Sequence, residues 1–128
     1  MSCLKSCGRS TSISAVATEI CMRVSQGSDT EFECTLTDDQ GEPIDITLDT
    51  VTFTAWDFIG GTQLILKTNL PGAHSDPVNG CTVFSLLISD YPTTSNLLSW
   101  AYEVKRIQSG GEEAIHIEGE LLASPAGN

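Results

Sequence analysis

From Thr30 to Leu36 the chain alternates, Phe32, Cys34 and Leu36 standing against Glu31, Glu33 and Thr35. A period of two is the mark of a strand with one buried face. Asp38-Asp39-Gln40-Gly41 follows as a turn, because Asp side chains bond nearby amides and Gly accepts positive φ. Pro43 lacks an amide donor and suits the first residue of the next strand, which the pattern starts near Ile44-Asp45-Ile46. The same grammar continues through the chain. Thr50–Trp56 places Val51, Phe53 and Ala55 on one face and threonines opposite. Gln63–Lys67 reads as a short strand after the Gly60-Gly61 turn, and Asn69–Gly80 reads as loop. Cys81–Ile88 is the next strand, with Phe84, Leu86 and Ile88 expected inward. One helical turn is expected near Ser89–Asn96, started by the capping preference of Ser or Asp. Leu98–Ile107 puts Trp100, Tyr102 and Val104 on one face. Beyond Ser109-Gly110-Gly111, the segment Ala114–Leu122 sets Ile115, Ile117 and Leu121 inward against His116 and Glu118.

Short strands at regular spacing, with turn signals between them and no helical period, predict an all-β fold. The expectation is an Ig-like antiparallel β-sandwich of about seven strands. The immunoglobulin Cys…Trp…Cys spacing is absent. Glu19–Val24 is a candidate first strand, whereas Ser2–Thr18 is polar, aperiodic and of the kind that frays unless something holds it. Three regions follow: an extended N-terminal arm over 1–19, the sandwich over 20–125, and a short tail over 126–128. The expectation for the arm is that a neighbouring subunit orders it, with Leu4, Ile13 and Val16 as its apolar anchors.

Charge narrows the partners. Six Lys and Arg stand against seventeen Asp and Glu, a net charge of −11. That balance disfavours nucleic acid and anionic membrane, which require clustered cations, and no apolar run approaches the roughly 20 residues of a membrane span. Without a convincing signal-peptide core, the chain reads as made and kept in the cytoplasm, or in a particle assembled there. Five cysteines, an odd number, argue against a disulfide framework. Cys34 and Cys81 read as small apolar residues. Cys3 and Cys7 would clamp zinc only with two further ligands from elsewhere.

Candidate chemistry adds little. His74 and His116 lie outside any nucleophile, phosphate-loop or zinc-protease motif. Asp38, Asp39 and Asp45 are better explained by turns than by a calcium loop, and Glu112-Glu113 by solvation. Trp56, Trp100 and Tyr91 would make a sugar platform only if exposed, and core or edge-covering positions suit them better. The expectation is a protein without catalytic residues, metal or cofactor. A host-surface carbohydrate-binding module, using those tryptophans or the Asn69–Gly80 loop, stands as the rival, and a bacterial Ig-like adhesion module as another.

Gly27-Ser28-Asp29-Thr30, then Leu36–Ile46 with its Thr37-Asp38-Asp39-Gln40-Gly41 turn, then Val51-Thr52-Phe53-Thr54 together resemble the N-terminal domain of phage baseplate upper proteins. Leu87-Ile88-Ser89-Asp90, Trp100–Val104 and Gly119–Leu122 extend the likeness, which spans about Cys21–Pro125. The resemblance implies an Ig-like sandwich in a tailed-phage virion, contacting other virion proteins and further copies of itself, with no catalytic residues to carry over. Baseplate upper proteins continue into a region that docks receptor-binding proteins, whereas this chain ends at Asn128 and adds an arm. Those departures point from a baseplate adaptor towards a small accessory protein of the capsid or tail.

Overall fold

The computed structural model describes residues 12–15, 18–57, 61–92 and 96–125, those up to residue 19 as backbone alone. Among the described residues nine strands run in chain order: β1 (Ser12–Ala15), β2 (Thr18–Glu19), β3 (Met22–Ser25), β4 (Thr30–Leu36), β5 (Thr50–Trp56), β6 (Gln63–Asn69), β7 (Cys81–Leu86), β8 (Leu98–Ile107) and β9 (Glu113–Ser124). They form two sheets. One has the order β1-β4-β7; the other has the order β2-β9-β8-β5-β6, with β3 continuing β2 along β9. The fold is an all-β sandwich of the Ig-like kind. Strands β3 to β9 number seven, and β1 and β2, from the stretch expected to be an arm, pair into the two sheets of their own chain.

Packing follows the alternation. The inner faces bring together Phe32 of β4, Phe84 of β7, Phe53 of β5 and Tyr102 of β8, all buried. Phe53 lies at the centre, with ring centroids 5.4 Å from Phe32, 5.4 Å from Tyr102 and 6.0 Å from Phe84. Edge-to-face and offset contacts of this kind add to simple burial. Leu36, Leu86, Val51, Val104, Ile117 and Leu121 fill the space around them.

The structure departs from the sequence reading at several places. The central sheet pairs are antiparallel, but β1 pairs parallel with β4, and β2 and β3 pair parallel with β9. The strand expected at Pro43–Ile46 is reduced to a single bridge between Thr37 and Pro43. Asp38 explains why the chain turns so tightly there: its carboxylate accepts the amides of Gln40 and Glu42, both at 2.9 Å, and Gly41 takes φ 81°. β7 stops at Leu86, so Ile88, expected inward, is exposed in a 3-10 turn over Ile88–Asp90.

The phase of β9 also breaks. Val104 pairs with Ile117 but Lys105 pairs with Ile115, leaving His116 as an extra residue in a bulge. A bulge shifts the pleat by one position. Ile115 is therefore exposed and His116 buried, the reverse of the sequence expectation.

Cysteine arithmetic also needs correction. Cys21 is disulfide-bonded, to a partner outside the described residues, while Cys34 and Cys81 are free. An odd count leaves room for one bridge and does not forbid it. Cys34 keeps its expected role: burial, with Glu33 adding, pushes its thiol up to about 12 and leaves it an inert core residue.

Candidate interaction surface

Among the described residues, β6 ends the larger sheet and pairs with β5 alone. Its sequence, Gln-Leu-Ile-Leu-Lys-Thr-Asn, holds three apolar residues in succession. A strand can bury only alternate side chains. Ile65 points into the core, and Leu64 and Leu66 are left 41% and 52% exposed. Edge strands are usually blunted by outward charge. Here the only charge, Lys67, pairs across the sheet with Phe53, an inner-face position. Its ammonium crosses to Asp90 at 2.9 Å and ties the two sheets together. One blunting device remains, a bulge that makes Leu64 the extra residue opposite Ala55 and Trp56. Beyond it, Ile65–Asn69 is regular strand.

Inward of this edge, the outer face of the larger sheet becomes acidic. Glu103 of β8 faces Glu118 of β9 directly across the ladder. Lys105 is engaged with Glu113 at 3.1 Å, and Ser99 donates its hydroxyl to Glu120. Partial burial raises the Glu103 carboxyl above its usual range; Lys105 pulls it part of the way back, and Glu118 and Glu113 push it further up. A carboxyl raised on folding costs stability while ionised, fully above its folded pKa, and the cost disappears as pH falls below the unfolded value. Glu103→Gln should therefore stabilise the protein at pH 7 by about 0.5 kcal/mol, a small figure because the site is open to screening. Urea midpoints for the two proteins should converge by about pH 4, below the ordinary glutamate value.

At one end of the sandwich a buried polar chain joins loops to both sheets. The Asp49 carbonyl can only accept, so His74 Nε2 donates to it at 2.7 Å. In the neutral ring, Nδ1 then accepts the Thr82 hydroxyl at 2.9 Å. Thr82 Oγ1 in turn accepts from Asn69 Nδ2 at 2.7 Å, and the Asp49 carboxylate takes Arg106 Nε at 2.8 Å. His74 meets Asp49 through its backbone, so the pair is a structural pin and not a base with its orienting carboxylate. An open cleft of about 510 Å³ beside it is lined by Asp45, Thr47, Leu48, Asp49, Arg106, Gln108 and Ser109. That lining offers hydroxyls without an imidazole beside them, and Arg106 is already paired. His116 is buried with both ring nitrogens unpartnered among the described residues. Burial holds its pKa low, and Arg106 adds to the effect.

The residues named from sequence are dispersed. Leu4 and Val16 lie outside the described residues, as do Cys3 and Cys7. Ile13 falls in β1, where its backbone registers with Cys34 of its own chain. Trp100 and Tyr91 are buried and stacked on each other at 6.0 Å, so neither offers a face to a sugar. Trp56 is partly buried at the end of β5. Asn69, placed at the start of the candidate binding loop, instead ends β6 and spends its amide on Thr82 and the Val83 carbonyl. Asp38 and Asp45 each accept local turn amides, and no group of three His, Cys, Asp or Glu residues that could hold a metal occurs among the described residues. The feature sequence reasoning missed is the Leu64/Leu66 edge. Its signal was available: three consecutive apolar residues in a strand force at least one outward.

No family model matches the chain, and a search of the curated proteins returns no match.

Proposed function

We propose that the chain is a non-enzymatic structural protein of a tailed-bacteriophage virion, an accessory that docks on capsid or tail subunits and on further copies of itself. The resemblance to baseplate upper proteins supplies the particle. The geometry of the N-terminal segment supports assembly through exchanged or added strands. Strand β1 lies in one sheet and β2 in the other, joined to them through short parallel ladders of four and two registered residue pairs. A segment that supplies edge strands to both sheets is of the kind that neighbouring copies exchange, or that adds to a partner's sheet. The seven-strand sandwich has its own aromatic core and does not need those ladders to close.

Deleting Met1–Thr18 is the direct test. The shortened protein should keep its β-sheet circular dichroism and a cooperative unfolding transition, yet fall to background in purified particles. Normal incorporation of the shortened protein would remove the arm from the reading. Cryo-electron microscopy of intact particles would then distinguish many copies on an icosahedral shell from a few in a ring at the tail. Absence of the protein from particles would overturn the virion reading itself.

A further inference from the structure

We infer that β6 is a self-association edge, two copies of this chain pairing β6 antiparallel to β6 about a two-fold axis near Leu66. Two observations choose a second copy as the occupant, and a third sets the strength of the contact.

The first is charge. Two chains of net charge −11 repel wherever carboxylates meet, yet the sequence holds no Asp or Glu between Asp57 and Asp76. β6 sits within that stretch, and its one cation is neutralised internally by Asp90. The acidic face at Glu103 and Glu118 cannot meet its own copy in this way. The edge can.

The second is self-complementarity. A two-fold interface sets the same patch against itself. Antiparallel pairing centred near Leu66 brings the exposed Leu64 and Leu66 side chains of both copies onto one outer surface, while the backbone ladder continues from β5 and β6 of one copy into β6 and β5 of the other. Cross-strand apolar pairs and ladder bonds are what stabilise such an edge.

The third is size. One seven-residue edge with two leucines falls well short of the roughly 1,600 Å² of a standard stable interface. The association is therefore weak, with a dissociation constant on the order of 10 µM, and is strengthened where copies are concentrated on a scaffold. This inference names the surface for the self-contact in the proposed function. It is read on the purified chain without particles, so its failure leaves the virion reading standing and the reverse also holds.

Sedimentation equilibrium of the full chain from about 1 to 200 µM, spanning the expected constant, tests it. The wild type should move from 13.7 kDa towards twice that mass. Leu64→Lys/Leu66→Lys should stay at the monomer mass throughout, with unchanged circular dichroism and thermal midpoint, because both positions are exposed. Leu48→Lys, at a more exposed leucine away from β6 in the loop before β5, should dimerise like the wild type. A monomer at every concentration overturns the proposal and leaves the edge to a strand from a different protein. A dimer that survives the double substitution, or is lost equally in Leu48→Lys, also overturns it by placing the contact elsewhere.

Discussion

Phe53→Ala should lower the unfolding free energy by about 4 kcal/mol, within the range for truncating a buried phenylalanine. The ring is fully buried and touches rings from both sheets: Phe32 and Phe84 across the sandwich, and Tyr102 beside it. Those neighbours are anchored on three separate strands, so no single one can move in to fill the space. The cavity therefore stays largely open, and the cost should fall above that of a residue at the rim such as Ile65. For a domain with a total stability of about 5–15 kcal/mol, such a loss leaves a marginal fold. Chemical denaturation should show a large fall in midpoint with an unchanged slope, since the surface exposed on unfolding is nearly the same. A fall of under about 1 kcal/mol, typical of a surface substitution, would mean that Phe53 is not the centre of the core.

The core was legible because it depends on alternation alone. Phe32, Cys34, Phe53, Phe84, Trp100, Tyr102 and Val104 are inward as the pattern requires, and the bounds of β5 and β8 follow the sequence reading. What failed were positions where a second interaction overrides the pleat. Ile115 and His116 exchanged faces because a bulge inserts one residue opposite Val104 and Lys105, and the local sequence contains nothing that fixes where a bulge falls. Ile88 left the core because Asp90 accepts the Leu87 amide at 2.7 Å and Asp29 accepts the Ile88 amide at 2.8 Å. Those bonds turn the chain out of the strand. Asp29 is 59 residues away from Ile88, and such a partner cannot be found by local reading. The β6 edge is a different case. Its leucines were visible, but which strand ends a sheet is a property of topology, and without that order two outward leucines carry no meaning.

Gly119→Ala should be about as damaging as the loss of Phe53, costing about 3 kcal/mol or more, through a different cause. A glycine within a strand often marks a close backbone approach. Here the chain between β2 and β3 crosses it. A Cβ at Gly119 would overlap the Ile20 carbonyl oxygen and stand 2.8 Å from its carbon, which are backbone atoms that no rotamer change can move aside. The approach has a purpose in the hydrogen-bond accounting. Ile20 donates its amide to the Glu118 carbonyl at 2.8 Å, and its own carbonyl accepts the Tyr102 hydroxyl at 2.7 Å. Tyr102 is the cross-strand partner of Gly119, so the missing side chain makes the room in which the tyrosine hydroxyl reaches the passing backbone. Adding a methyl group pushes Ile20 away, breaks that bond and strips β3, with buried Met22 and Val24, from β9. Loss of the anchor would show locally as well as globally. Trypsin cleavage after the exposed Arg23 should accelerate at temperatures well below the unfolding midpoint, as expected for opening of one edge strand. Gly110→Ala serves as the control, since a Cβ there meets nothing within 4 Å, and its stability should stay within about 0.5 kcal/mol of wild type. If Gly119→Ala matched that control in both midpoint and protection of Arg23, the crossing of Ile20 over β9 would not hold the first strand of the sandwich in place.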